Sequence, residues 1–220
     1  MFKVYPDGQV VRAILRAFPT GGGGLKGIDL GCGAGRHAKL LLDQNFWVKA
    51  IDIVEENIED TKKVLKNYDT NQYHLECIDF NQMDDSTGYD VAIAWNFLYA
   101  YNESLDTCAK RIQKIYELLK PNGKIILSLR STDDTFHTMY EKDKNGLINN
   151  TLYDAPGCVF YSQHGVADLM NQCNFEIDYL EKFSRNHNRN WKNIKGNNEW
   201  EKADLELYED WWAICATRKG

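Results

Sequence analysis

The sequence predicts a doubly wound α/β domain, with a mainly parallel sheet, helices on both faces and an antiparallel strand pair near the C-terminus. Three observations predict it. Short apolar runs alternate with amphipathic stretches for more than a hundred residues, from Leu25 to Leu129, the pattern of repeated β-α units. A glycine cluster, "GIDLGCGAGRHAKLL" at residues 27–41, stands where the first apolar run meets the first amphipathic one. Aspartates, Asp52 and Asp79, close the next two apolar runs. In such a sheet ligands bind beyond the carboxyl ends of the strands, near the switch in strand order.

Each element has its own signal. Residues 7–18 are expected to be helical, because Val10, Ile14 and Phe18 recur every fourth position. Pro19-Thr20 and the glycines 21–24 break that helix. Leu25–Leu30 is read as a strand and Ala34–Asp43 as a helix. Trp47–Ile53 is the next strand. Residues 54–66 form a helix by charge pattern, with Glu55 and Glu56 in the first turn and Lys62, Lys63 and Lys66 in the last, complementing the helix dipole. Tyr73–Ile78 and Tyr89–Trp95 are strands. Asn102 is expected to cap a helix carrying Leu105, Cys108, Ile112, Ile115 and Leu119 at spacings of three and four. Pro121-Asn122-Gly123 ends it before the strand Lys124–Leu129. Residues 131–162 read as polar and irregular, Gln163–Asn174 as a helix, and Phe175–Phe183 and Tyr208–Thr217 as two strands joined by a long polar loop.

Composition sets bounds on partners. The 220 residues are 43% hydrophobic and 26% charged, ordinary for one well-cored domain. A net charge of −6 disfavours a nucleic-acid partner, and the basic stretch "FSRNHNRNWKNIK" at 183–195 is followed by an acidic one. No apolar run is long enough to cross a bilayer. Arg12 and Arg16 interrupt the first apolar stretch, which does not suit a secretory signal. The six cysteines are scattered without a Cys-x-x-Cys pair, the pattern of buried free thiols. A cytoplasmic protein is expected.

Gly31, Gly33 and Gly35 sit at a strand-to-helix turn, where glycine permits unusual φ and close approach of a ligand. The spacing is G-x-G-x-G rather than the dinucleotide G-x-G-x-x-G. Asp29 precedes it, poorly suited to a pyrophosphate and well suited to an ammonium group. A tight turn without ligand is the competing reading of the glycines alone. Asp52, 21 positions after Gly31, is placed to accept from ribose hydroxyls, and Asp79 to accept from an exocyclic amine, with Phe80 able to pack on a ring. Together they fit a charged adenosyl ligand with a free amino group.

The chain resembles the class I S-adenosylmethionine-dependent methyltransferases. "IDLGCGAGRH" is similar to the first signature of that family, "AIDIVEENI" to the second, "CIDF" to the adenine-contact segment and "YDVAIAWNFLYAY" to the fourth-strand segment. "LLKPNGKIILS" resembles its helix-turn-strand, with Asn122 in place of a glycine; asparagine tolerates left-handed φ, so the turn is expected to survive. The resemblance implies a Rossmann-like, seven-stranded sheet with an antiparallel C-terminal edge strand, in one domain. Residues 1–24 would be an N-terminal helix and glycine linker, 25–130 the cofactor-binding core and 131–220 the acceptor side. It also implies roles. Asp29, Gly31, Cys32, Gly33 and Gly35 would hold the methionine end of the cofactor, Asp52 the ribose, and Ile53 the adenine face. Asp79 and Phe80 would read the adenine edge. Trp95 and Asn96 would face the sulfonium, and Tyr5 and Arg12 would fold back over the site.

For such a cofactor the reaction is an in-line displacement, served mainly by positioning. An alcohol acceptor benefits from a base, whereas a phosphate or carboxylate oxygen needs none. His164 is the leading candidate base, then His137; Tyr99 is placed to orient an acceptor hydroxyl. Arg130 and Asp133, past the fifth strand, are candidates for binding the acceptor, with a local salt bridge between Arg130 and Asp133 or Asp134 as the competing reading. His37 is expected to pack or cap. No Asn/Asp-Pro-Pro-aromatic segment follows the fourth strand, no Pro-Cys pair occurs, and no carboxylate cluster suggests a metal. A small hydroxylated or anionic acceptor remains. A non-catalytic cofactor-binding protein and a nicotinamide-dependent oxidoreductase are the alternatives.

Overall fold

A computed structural model describes residues 5–150, 155–186 and 208–220. Within them the chain runs α1 (Gly8–Ala17), β1 (Lys26–Leu30), α2 (Arg36–Asp43), β2 (Trp47–Asp52), α3 (Glu55–Leu65), β3 (Tyr73–Cys77), β4 (Tyr89–Ala94) and α4 (Leu105–Leu118). It continues through β5 (Leu119–Ser131), α5 (Thr135–Met139), β6 (Ile148–Asn150), β7 (Ala155–Cys158), β8 (Phe160–Tyr161), α6 (Gln163–Gln172), β9 (Phe175–Asn186) and β10 (Tyr208–Arg218). The basic stretch from residue 187 to 195 lies outside the described residues.

The main sheet has the order β3-β2-β1-β4-β5-β10-β9. β1 to β5 are mutually parallel, β10 is antiparallel to β5, and β9 is antiparallel to β10. The antiparallel C-terminal strand is therefore present, one place in from the rim. The strand count is eight rather than seven, because β8 pairs in parallel with Arg130 and Ser131 of β5. Two residues are too few to leave a period-two signal. The same holds for the rest of 131–162, expected to be irregular: it folds into α5 and the small sheet β6-β7.

The pleat sorts side chains to two cores. Ala92 and Ala94 of β4, Ile125, Leu127 and Leu129 of β5 and Ile214 of β10 pack with Cys108, Ile112 and Ile115 of α4 and Val166 and Met170 of α6. The alternate residues Val91, Ile93, Ile126, Ala213 and Cys215 pack with Val10 and Ile14 of α1, Ala38 and Leu41 of α2, and Ile58 and Leu65 of α3. This period of two along each strand gives a doubly wound sheet with helices on both faces. β1, β2, β3 and β4 all end at one edge, and the order reverses between β1 and β4.

Two local expectations need correction. The cap of α4 is Ser104, whose N–H donates to Thr107 Oγ1 at 3.1 Å. Asn102 is buried instead and donates from Nδ2 to the carbonyls of Leu98 and Gly157, each at 3.1 Å. Pro121-Asn122-Gly123 does not delay the strand: β5 begins at Leu119, opposite Tyr89, and the register shifts so that Lys124 faces Val91. Asn122 takes φ 63° there, so the left-handed turn survives without a second glycine.

Candidate active site

The glycine turn is held by backbone geometry that side chains resist. Gly31, Gly33 and Gly35 have φ of 66°, 55° and 77°, in the left-handed region that glycine enters without a Cβ penalty. At Gly31 a Cβ would also lie 2.6 Å from the Phe97 ring, whereas none of the described atoms lies within 4 Å of a Cβ on Gly33. The turn is tied to β2 at two points: Cys32 N–H donates to the Ile51 carbonyl at 2.9 Å, and Gly33 N–H to Asp52 Oδ2 at 2.9 Å.

Asp52 is the hub of this edge. Its Oδ1 accepts from Val54 N–H at 2.9 Å and Asn57 Nδ2 at 3.0 Å, and its Oδ2 from Gly33. A carboxylate has about four lone-pair sites, so one remains on Oδ2. Asp79 accepts from Asn81 N–H at 2.9 Å through Oδ1 and keeps Oδ2 without a hydrogen bond among the described residues. Both acids line a cavity of about 590 Å³ with Gly31, Ile53, Ile78, Phe80, Phe97, Asn96 and Tyr99. That is an ordinary size for a small-molecule site. Ile53 is 66% exposed, an apolar side chain left uncovered at the cavity's rim. The two acids beside this apolar lining match the hydroxyl donors, amine and flat ring of adenosine.

On the other side of the cavity, Asn96 has φ 57° and is fixed through Ser128, whose Oγ accepts from its N–H at 2.8 Å. Tyr99 packs edge-on against Trp211 with ring centroids 5.0 Å apart. Burial raises the pKa of its phenol, which keeps the hydroxyl in its protonated form.

Of the residues singled out from sequence, Gly31, Asp52, Ile53, Asp79, Phe80, Asn96 and Tyr99 meet at this cavity. Others do not. Asp29 is 1% exposed and accepts from Ala38 N–H at 2.9 Å; it fastens the start of α2 to β1, and burial raises its pKa to about 7. Gly33 and Gly35 shape the turn from behind, Gly35 packing against Thr61. The Cys32 thiol is buried 3.5 Å from Thr61 Oγ1. Trp95 is buried and stacks on Phe183 at 5.6 Å, turned to the core because, just past β4, it continues the face of Val91 and Ile93.

The acceptor-side candidates disperse further. His164 is on the outer face of α6, 88% exposed, beside Asp168 at 3.3 Å. His137 lines a separate cavity of about 400 Å³ between α4, α6 and β6, and burial lowers its pKa. Asp133 pairs with Lys182 at 2.9 Å on the surface. Arg130 is 1% exposed, with Nε 2.7 Å from Asp134 and Nη1 3.3 Å from Glu209, inside a ring of Tyr99, Phe136, Phe160 and Trp211. The local salt bridge is what forms. Tyr5 is exposed, and Arg12 pairs with Glu181 of β9 at 2.8 Å instead of covering the site. His37 packs as expected: its Nε2 accepts from Asp7 N–H at 3.3 Å, and burial depresses its pKa to about 3.

Three residues escaped the sequence reading. Phe97 fills the space above Gly31. Arg111 lines the cavity and donates to the carbonyls of Ala100 at 3.2 Å and Tyr101 at 3.1 Å, ordering the loop after β4. Arg185, at the end of β9, reaches Asn96 Oδ1 at 3.4 Å. The apolar-polar alternation from Phe175 breaks at Leu180, and only the β9–β10 register shows that the strand extends as far as Arg185.

Fold and cavity together define an α/β domain whose cavity, at the switch in strand order, suits an adenosyl ligand. The family model of the methyltransferase domain matches residues 4–180, and the chain belongs to this family, the class I S-adenosylmethionine-dependent methyltransferases, with S-adenosylmethionine as cofactor. The ubiquinone biosynthesis O-methyltransferase of Rickettsia typhi is 30% identical over 169 residues, which are 75% of this chain and 66% of that protein. The protein of the same name from Rickettsia conorii is 31% identical over 101 residues, 46% of this chain and 33% of that one. The chain thus matches between a third and two thirds of the length of these two relatives. Among solved structures, the 1,6-didemethyltoxoflavin-N1-methyltransferase of Burkholderia thailandensis, with bound 1,6-didemethyltoxoflavin and S-adenosylhomocysteine, aligns with TM-score 0.67 at 14% identity, covering 96% of this chain and 77% of that one. An S-adenosylmethionine-dependent methyltransferase from Mesorhizobium loti aligns with TM-score 0.65 at 17% identity, covering 96% and 99%. At these identities the structural likeness shows the fold.

Proposed function

We propose that this chain methylates a small hydroxylated molecule at oxygen, with the acceptor docked between Asn96 and Tyr99. One observation carries the reading: a single cavity joins Asp52 and Asp79, suited to adenosine, to the amide of Asn96 and the phenol of Tyr99. S-adenosylmethionine, when bound, supplies a methyl group already activated by its sulfonium. The chain's own work is then to bind and align. Asp52 accepts from the ribose hydroxyls, Asp79 from the adenine amine, and Ile53 and Phe80 enclose the ring. Tyr99, held protonated by burial, donates to the acceptor oxygen or a neighbouring one and sets its direction of approach. No histidine lines the cavity among the described residues, so positioning rather than histidine base catalysis is the proposed device. The name of the Rickettsia relatives supports oxygen as the atom methylated.

Calorimetric titration with S-adenosylhomocysteine, with NADH as control, tests the cofactor site. Transfer of labelled methyl from S-adenosylmethionine to hydroxylated acceptors tests the reaction. Binding without transfer to any acceptor would favour a non-catalytic, regulatory cofactor-binding protein.

A further inference from the structure

Arg185 has an arrangement that the residues suited to adenosine do not account for. Its guanidinium stacks over Phe183 at 5.3 Å and Trp211 at 5.1 Å, which fixes its plane. Nη1 reaches Asn96 Oδ1 at 3.4 Å, at the wall of the cavity, and Nη2 pairs with Asp7 Oδ2 at 2.9 Å. Asp7 has a second hold of its own: its other oxygen caps α1 by accepting from Gln9 N–H at 3.1 Å, and its pair with Arg185 keeps some exposure, 17% on Asp7 and 25% on Arg185.

A second guanidinium stands close by. Arg36 opens α2, next to His37, which accepts the Asp7 N–H. Arg36 makes no hydrogen bond or ion pair with the described residues. Burial lowers its pKa, with Arg185 acting in the same direction and the carboxylates of Asp7 and Asp29 against it. Arg36 and Arg185 thus bring two guanidinium groups to the neighbourhood of Asp7, in a chain of net charge −6. The adenosine end of the cavity carries the opposite sign, in Asp52 and Asp79.

We propose that Arg185 recognises an anionic group, a carboxylate or phosphate, on the methyl acceptor, and that Asp7 holds that place until the acceptor arrives. This rests on the acceptor position proposed above. Exchange of one carboxylate for another conserves the ion pair, Asp7 keeps its hold on α1 through Oδ1, and the planar fork of arginine suits a bidentate anion. The anionic acceptor expected from Arg130 is thereby reassigned to a different arginine.

The test is calorimetric titration of the full chain with 3,4-dihydroxybenzoate and its neutral counterpart catechol, with and without saturating S-adenosylhomocysteine. The carboxylate is expected to bind about tenfold more tightly or better, the worth of one charged hydrogen bond. Arg185→Gln erases that preference and leaves the affinity for S-adenosylhomocysteine unchanged. Asp7→Asn, which keeps a capping oxygen, strengthens carboxylate binding and not catechol binding, and it tests the idea independently if Arg185→Gln does not fold. Equal affinity for the two probes, binding of neither, or a carboxylate preference that survives Arg185→Gln overturns the proposal. So does loss of S-adenosylhomocysteine affinity in Arg185→Gln with 5′-methylthioadenosine, which lacks a carboxylate, binding as before; the arginine would then hold the cofactor's own carboxylate. Failure of S-adenosylhomocysteine to bind the unaltered chain counts against the cofactor site alone, since the probes are also compared without it.

Discussion

Gly33 donates its backbone N–H to Asp52 at 2.9 Å, so the glycine turn after β1 and the end of β2 form one piece. The acid that is to accept from the ribose also holds the turn that is to cradle the amino-acid end. Disturbing either disturbs both. Asp52→Asn keeps the shape and removes the charge, and is expected to weaken S-adenosylhomocysteine about ten- to a hundredfold, as loss of a charged hydrogen bond does. Melting should fall too, because the single amide oxygen can keep the Val54 and Asn57 bonds only by turning its NH2 toward the Gly33 N–H. Calorimetry and thermal denaturation on one sample separate the two effects, and unchanged affinity would refute the ribose assignment.

Gly31 and Gly33 offer a matched comparison, since both have positive φ and only one has a neighbour in its Cβ space. Gly33→Ala should cost about 1–2 kcal/mol from the backbone alone. Gly31→Ala must also move the Phe97 ring, which lines the cavity, adding about 1–3 kcal/mol of overpacking. Urea denaturation of the two variants measures the difference. Equal losses would mean that Phe97 rotates away freely.

The buried Asp29 makes stability depend on pH. Burial raises its pKa from 3.8 to about 7, so the native state binds a proton that the unfolded chain has released. Stability from this group is fully present below 3.8 and is lost as pH rises through about 7. The unliganded protein should therefore melt lower at pH 8 than at pH 5.5, on account of this residue. Asp29→Asn removes the dependence, and a wild-type slope that persists unaltered in that variant would assign it elsewhere.

The parts of the fold set by periodicity were legible, and so were the site residues fixed by strand ends. Asp52 ends a strand, and Asp79 and Asn96 each stand two residues past one, so finding the strand locates the residue. Residues whose role depends on side-chain direction were not legible. Trp95 follows β4 as Asn96 does, yet the pleat turns it into the core, and nothing in "AWNF" tells one side from the other. Arg130 and Arg185 differ in the same way. Both lie at the ends of long strands on the acceptor side; the local Asp134 was legible as a partner of the first, but only the tertiary fold supplies Glu209 to it and sets the second beside Asn96. β8, two residues long, carries no pattern at all.

Arg130 supplies the last prediction, because its burial makes it a structural residue rather than an acceptor ligand. Removing one partner of a buried ion pair costs about 3–5 kcal/mol, and Arg130→Gln leaves Asp134 and Glu209 together without their cation. Burial already raises the Asp134 pKa to about 6 with Arg130 beside it, and loss of that cation raises it further. A group whose folded pKa exceeds its unfolded value of 3.8 takes stability away as pH rises through the folded value. The deficit of Arg130→Gln relative to the unaltered chain should therefore be smaller at pH 5 than at pH 8. Thermal denaturation at the two pH values reads it directly, and binding of 3,4-dihydroxybenzoate at the lower pH should be near normal. A variant that melts like the unaltered chain yet loses the carboxylate probe would return Arg130 to the acceptor site and displace Arg185 from it.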